Sequence, residues 1–442
     1  MIRIPIYVER DHPRLKYVAN FIQNAYQDTV FEWITDETSF INKQGPKINY
    51  SLHPLSELEL WIPNTGLLYQ DFIKDFVPSS RMGSECPLIF CDNQDSQLGF
   101  DVFAAIFWML SRAEEYGSKQ KDQHGRFISV QSLMHSLQSN KFPVVDYWSD
   151  VLIKCLCLKF EIQIVRKPRK THVSLGVDID QFWKFKHKPF WKNALGLIRD
   201  FCWGHFQLVK ERMQVVMNQK KDPFDTYDIF ESCKLNQDQL YFFILSGGNS
   251  TYDKNHSLTL KSVKKILQKL KTFSTICLHP SYQSAEDPDI IINEKEKLEE
   301  SAGVDITSSR QHYLRFQIPQ TFRALLKAGV QTDYSMVYAD CAGFRAGTCQ
   351  PFYWYDLINE CQTTIRMIPV ITMDRTYLDY EKKSPDESIK DLESLLVWTI
   401  QYEGLVQIIW HNSSFDFTHE WQGWENFFEK LISLIKKSNS LI

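Results

Sequence analysis

Residues 171–183 read THVSLGVDIDQFW. The run Val173-Ser174-Leu175-Gly176-Val177 has the composition of a buried β-strand, and it leads straight into two carboxylates, Asp178 and Asp180. Strand interiors shun aspartate because an ionised carboxylate loses its hydration there. Two acids one residue apart lie on the same side of an extended chain, so they form a pair. Such a pair at the end of a core strand calls for a chemical reason.

From residue 171 onward the chain alternates strand-like and helix-like segments. HVSLGV, QLYFFIL, TICLH, VQTDYS, IRMIPVI and LVQIIWH read as strands. EKEKLEESAG, PQTFRALLKAG and SIKDLESLLVWTIQYEG read as helices, two of them stopping at glycine, a residue suited to a left-handed C-cap. This alternation predicts a parallel β/α sheet or barrel, a fold that gathers its chemistry at the C-terminal ends of the strands. Polar residues stand at those ends: Asp178 and Asp180 after the first strand, His279 closing TICLH and His411 closing LVQIIWH.

The first 165 residues mix short strands (IRIPIYV, ELELWI, CPLIFC) with helical pieces, the strongest being GFDVFAAIFWMLSRAEEY. A proline-bearing basic stretch, RKPRK, reads as the hinge. A chain of 442 residues exceeds what one core usually organises. Two domains are therefore expected, 1–165 and 166–442. The net charge of -4 leaves no footprint for a nucleic-acid binder. Ten scattered cysteines without metal-like spacing favour a reducing compartment over a disulfide framework. The N-terminus lacks the layout of a signal peptide and no apolar run reaches the length of a membrane span, so a cytoplasmic location is expected.

Two acids and several histidines on one rim suit a divalent cation, with one carboxylate holding metal while its neighbour takes a proton from water. Taken alone, an Asp-x-Asp pair is also compatible with a turn or a helix cap. HPSYQS presents His279 on a loop, because a histidine before proline does not continue into a helix. SSRQHYLRF supplies Arg310, His312, Tyr313 and Arg315, and an arginine beside acids can orient a carboxylate through a bidentate hydrogen bond. DYSMVYADCAGFRAGTCQPF carries Asp333, Asp340 and Arg345 among small residues.

At this point the sequence resembles the NodB-homology polysaccharide deacetylases, specifically a Bacteroidetes-type branch with an extra N-terminal domain. The resemblance is carried in the N-terminal region by FDVFAAIFWMLSRAEEY, DQHGRF and FPVVDYW. In the C-terminal region VDID, DPFDTYD, HPSY, SRQHYLRF, DYSM, GFRAGT and WHN follow in order. It implies a distorted (β/α)7 barrel preceded by a smaller α/β domain. It further implies that Asp178 is the catalytic base, Asp180 and His279 are metal ligands, Arg310 orients the base and His411 is the general acid. Asp333 falls where that family places a further acid. His312 could take the place of a second histidine missing after His279; water in that position, or no bound metal, are the alternatives. Tyr313, Arg345 and Trp410 are candidates for substrate contact, Arg345 equally for a structural role. The cofactor implied is a divalent metal, zinc first, with nickel or cobalt as alternatives.

The implied substrate is an N-acylated amino sugar in glycan biosynthesis, either nucleotide- or lipid-linked given the absence of an export signal. Two rival readings stand beside it: a non-catalytic carbohydrate- or partner-binding barrel, and a deformylase of a lipid-linked sugar. The lysine-rich segment 184–221, with Phe, Trp and Leu interspersed, reads first as a solvated helical insertion and second as a peripheral contact with anionic lipid at the inner membrane face.

Overall fold

The computed structural model describes residues 1–70, 76–92, 96–118, 120–417 and 420–440. Two compact units divide it. The first comprises Met1–Thr171, Met336–Ile371 and Leu395–Val406; the second comprises His172–Ser335, Thr372–Ser394 and Gln407–Ile442. The chain first passes from one unit to the other at 171/172 and crosses again four times, where a single cut at 165/166 was expected. Packing explains why later segments return to the first unit: Tyr355 lies 5.0 Å from Tyr17 and 5.1 Å from Phe107, ring to ring.

In the first unit, β1 (Ile2–Val8), β2 (Thr29–Ile34), β3 (Ile48–Ser51) and β4 (Leu60–Pro63) form a parallel sheet in the order β2-β1-β3-β4. A short antiparallel pair, β5 (Ser80–Met82) and β6 (Pro87–Ile89), follows. The helix expected over GFDVFAAIFWMLSRAEEY breaks into Val102–Ser111 and Ala113–Tyr116. Asp101 caps its start by accepting from the Ala104 N–H at 2.9 Å. Every residue from Val102 to Ser111 is buried, as an all-round apolar helix requires. Arg112, at φ 53°, ends it because its buried guanidinium turns to Glu114 and Glu115.

The second unit contains β7 (His172–Ile179), β8 (Leu240–Leu245), β9 (Thr275–His279), β10 (Ser308–Ser309) and β11 (Thr332–Asp333), each parallel to the next. After an antiparallel hairpin in the first unit, β12 (Phe352–Asp356) with β13 (Cys361–Met367), come β14 (Val370–Met373) and β15 (Leu405–His411). Strand order is β11-β10-β9-β8-β7-β15-β14, with β14 at an open edge rather than closing a ring. The expected single strand IRMIPVI is two strands, interrupted before Pro369, a residue that cannot donate to a ladder.

Strand β7 shows how the acids are accommodated. Val173, Leu175, Val177 and Ile179 are buried on one face, and period two puts Ser174, Gly176, Asp178 and Asp180 on the other. Asp178 thus lies within the strand and Asp180 just beyond it. Among the described residues no helix is long and apolar enough to cross a membrane, and all ten cysteines are free.

Candidate metal centre

Parallel pairing of β7, β8, β9 and β10 carries the strand ends to one edge, where three side chains converge. His279 Nε2 and His312 Nε2 each lie 3.4 Å from Asp180 Oδ1. The ligand atoms of Asp180, His279 and His312 all fall within 4.8 Å of one another. Each histidine has its other ring nitrogen committed. His279 Nδ1 donates to the Arg310 carbonyl at 2.6 Å, and His312 Nδ1 donates to Asp253 Oδ1 at 3.0 Å. In neutral rings with those tautomers, both Nε2 atoms present lone pairs toward Asp180 Oδ1, a buried atom that accepts no hydrogen bond among the described residues. Two lone pairs and a carboxylate oxygen facing one point repel unless a cation joins them. Histidine Nδ1–H anchored on a carbonyl or carboxylate is the usual support of a metal-binding imidazole. The donor set, one carboxylate and two imidazoles, fits a divalent cation such as zinc.

Burial would raise the Asp180 carboxyl, but His312, His279 and His411 around it hold it well below the carboxylate range. Asp253 is also held low: burial opposes its charge, and hydrogen bonds from His312 and Ser250 and from the Tyr282 N–H outweigh it.

Asp178 flanks this group, with its Oδ2 3.8 Å from His279 Nε2. Its other oxygen accepts from fully buried Arg310. That guanidinium is itself fixed, stacked 3.9 Å over Phe243, donating through Nε to the Tyr334 carbonyl at 3.2 Å and through its remaining arm to Gln407. Gly176 leaves the space: a Cβ there would collide with both Arg310 and Gln407. On the opposite side His411 Nε2 lies 4.0 Å from Asp180 Oδ2. Its Nδ1 donates to Asp374 at 2.8 Å, and Asp374 also accepts from the His411 N–H and from Ser414. Burial disfavours a charged His411, but Asp374 overrides it, with help from Asp180 and Asp178, and pushes its pKa up to about 9. His411 is therefore an imidazolium at neutral pH, its Nε2–H facing the cluster.

A cavity of about 790 Å³ opens on this edge, lined by Asp180, His312, Tyr313, Tyr252 and Asn412 among others. Tyr313 is partly exposed there, its ring 4.8 Å from His312.

Three expected site residues lie elsewhere. Asp333 is wholly buried, accepting from Ser309 and Ser335, so it braces β10 against β11 instead of facing the cavity. Trp410 precedes His411 on β15 and by period two points to the other face, stacked on Phe427 at 5.7 Å and packed against Trp421. Arg345 belongs to the first unit, where it pairs with buried Glu115 and donates to the Val337 carbonyl. Asp340, in the same stretch, accepts from the Ser129 N–H and hydroxyl.

Sequence reasoning missed Asp253, Asp374 and Gln407. Asp374 directly follows β14, so the strand-end signal that picked out His279 applied to it equally. Gln407 was visible as a polar residue inside LVQIIWH. Asp253 sits in the loop after β8 and carried no such signal.

Residues 4–161 match a family described only as a family of unknown function (DUF7033). No curated protein matches the chain. Among solved structures it is similar to a protein from Mycobacterium smegmatis assigned provisionally to the polysaccharide deacetylases, at 12% identity and TM-score 0.39, covering 62% of this chain and 86% of that one. A 4-alpha-glucanotransferase from Thermococcus litoralis matches at 12% identity and TM-score 0.36, covering 62% of this chain and 38% of that one. A CE4 family pseudoenzyme from Bacillus anthracis matches at 10% identity and TM-score 0.28, covering 62% of each chain. These likenesses are too distant to assign an activity, and the chemistry of the site has to be argued from its own residues.

Proposed function

We propose that the second unit is a divalent-metal-dependent hydrolase that cleaves the amide bond of an N-acylated amino sugar. The observation carrying the hydrolytic part is the convergence of His279 Nε2 and His312 Nε2 on the orphaned Asp180 oxygen, between a carboxylate and an imidazolium. The amino-sugar part is supported by the ordered motifs from VDID to WHN.

Asp180, His279 and His312 would hold the cation, zinc first and nickel or cobalt next. A bound divalent cation would supply Lewis-acid polarisation of a carbonyl and of a water. Asp178 has the role of base: Arg310 fixes its orientation and leaves Oδ2, 3.8 Å from His279 Nε2, to take the proton of the attacking water. Positively charged His411 donates from Nε2 to the departing nitrogen, which otherwise leaves very poorly as an amide anion. Asp374 keeps that proton on the correct nitrogen. Tyr313 offers an aromatic face on which a sugar ring can rest.

Asp178→Asn separates binding from chemistry. The expected result is retention of near-stoichiometric metal by elemental mass spectrometry, with loss of at least about 100-fold in the deacetylation rate of N-acetylglucosamine oligomers or conjugates. Full activity in the variant would remove Asp178 as the base. An unmetallated wild-type protein that stays so with added zinc, nickel and cobalt would remove the reading altogether.

A further inference from the structure

Segment 184–221 forms two helices, Phe190–Cys202 and Phe206–Val216, joined by a tight turn at Gly204. Their burial is inverted relative to an ordinary surface hairpin. The inward side is mostly polar, Val215 being its buried apolar member: Arg212 bonds Asp200 Oδ2 at 2.7 Å and Asn193 Oδ1 at 3.2 Å, and Glu211 takes Lys184 and Lys220. Gly196 lets that guanidinium approach, since a Cβ would sit 2.7 Å from it. The outward side is apolar. Phe190 is 85% exposed, Trp203 67%, and Ile198, Phe201 and Phe206 61% each. Trp191, Leu195 and Ile198 recur at helical spacing, so they form one stripe, with Trp203 at the tip. A soluble helix turns such a stripe toward its core. Here the core side is occupied by an ion-paired network, and the apolar side faces out.

The rim of that patch is basic. Segment 184–221 holds seven lysines and two arginines against Asp200 and Glu211 alone, a net +7 in a chain of net -4. Both acids are buried in ion pairs, while Lys192, Arg199 and Lys210 are exposed. A groove of about 1050 Å³ runs between the first helix and the loop Gly248–Ser257, lined by Lys188, Lys192, Arg199 and Lys254. The exposure of these aromatics beside exposed lysines is what favours a lipid contact over a solvated insertion.

We propose that this hairpin docks on an anionic lipid bilayer, its apolar stripe sinking to the acyl boundary and its lysines and arginines meeting headgroup phosphates. A second copy of the chain is a poor occupant, because a twofold contact would oppose the exposed Lys192, Arg199 and Lys210 of one copy to those of the other. Gly204, His205 and Phe206 also line the cavity that holds Asp180 and His312. The docked hairpin therefore sets the mouth of the cleft beside the membrane, where a lipid-linked amino sugar is presented. That last consequence rests on the hydrolytic reading; docking does not.

Co-sedimentation with phosphatidylcholine vesicles, with and without phosphatidylglycerol, tests it on the full chain. The wild type is expected to pellet with the anionic vesicles, less with neutral ones and less in high salt. Ile198→Ser with Phe201→Ser and Trp203→Ser should reduce partitioning more than about tenfold, while a wild-type circular dichroism spectrum and metal content report an intact fold. Lys192→Glu with Lys210→Glu should abolish the preference for phosphatidylglycerol. The proposal is overturned if the wild type ignores anionic vesicles, or if the triple variant binds them as the wild type does. It is equally overturned if light scattering shows a dimer that the triple variant loses and no vesicle binding. Loss of hydrolysis in Asp178→Asn with docking retained would leave the two readings separately judged.

Discussion

Asp253→Asn tests the cation site through a residue that does not touch the cation. His312 Nδ1 lies 3.0 Å from Asp253 Oδ1 in a buried setting. A hydrogen bond to a charged group contributes roughly 1.5–3 kcal/mol, against about 1 kcal/mol for a neutral one. Asparagine keeps an acceptor oxygen and the rotamer, so the variant loses the difference, about 0.5–2 kcal/mol. At 1.4 kcal/mol per decade, that weakens cation binding by about 2- to 30-fold, its upper part overlapping the roughly 10- to 100-fold range typical of carboxylates supporting metal-bound histidines. The assay is zinc competition against a fluorescent chelator, starting from metal-stripped protein, with circular dichroism to confirm the fold. Asp374→Asn is the matched control: it supports His411, whose Nε2 is 4.0 Å from Asp180 and outside the triad, so affinity should change less than about threefold. Asp253→Asn with wild-type affinity would refute the argument, because His312 would then not be a ligand held by that carboxylate.

Further outcomes follow from individual contacts. Gly176→Ala should displace Arg310 and Gln407, lowering turnover more than about tenfold while the metal content stays at the wild-type level; unchanged turnover would show that Asp178 does not depend on Arg310 for its orientation. Burial raises the Asp333 carboxyl to about 6 despite its serine donors. Its stabilising contribution is therefore complete below the unfolded value near 3.9 and lost as pH rises through 6, on the order of 3 kcal/mol in all. Asp333→Asn should flatten urea-derived stability between pH 4 and 7 by that share, leaving the slope from Asp101 and Asp146, also raised to about 6; curves parallel to the wild type would contradict it. Arg345→Met leaves buried Glu115 with Arg112 as its remaining partner and should cost about 1.5–3 kcal/mol in denaturant unfolding with zinc affinity unchanged; a loss of zinc affinity at full stability would return Arg345 to the site.

Much of the second unit was legible because each of its long strands is a run of apolar residues closed by a polar one. Asp178, His279 and His411 announced themselves that way, and Asp374 would have by the same test. The open sheet edge and the return of 336–371 to the first unit were not legible. Both depend on tertiary partners, such as Tyr355 meeting Tyr17 and Phe107, which no local spacing encodes.

The misplaced and missed residues differ in cause. A strand-end position says that a residue is near the edge of a sheet, but only the parity along the strand says which face it serves. Counting back from His411 by two reaches Ile409 and Gln407, so Trp410 belongs with Val406 and Ile408 on the covered face. Parity, however, does not rescue Asp333. Ser309 and Ser335 turn its carboxylate into a strut, and those serines come from different strand ends. Asp253 is the converse case. It reaches His312 from a loop whose path is set by Ser250 and by the Tyr282 N–H, so the residue that fixes the tautomer of a candidate ligand is the one least visible in the sequence. Ligands anchored at strand ends could be found by pattern. The groups that orient them arrive by tertiary return, and only the folded chain brings the two sets together.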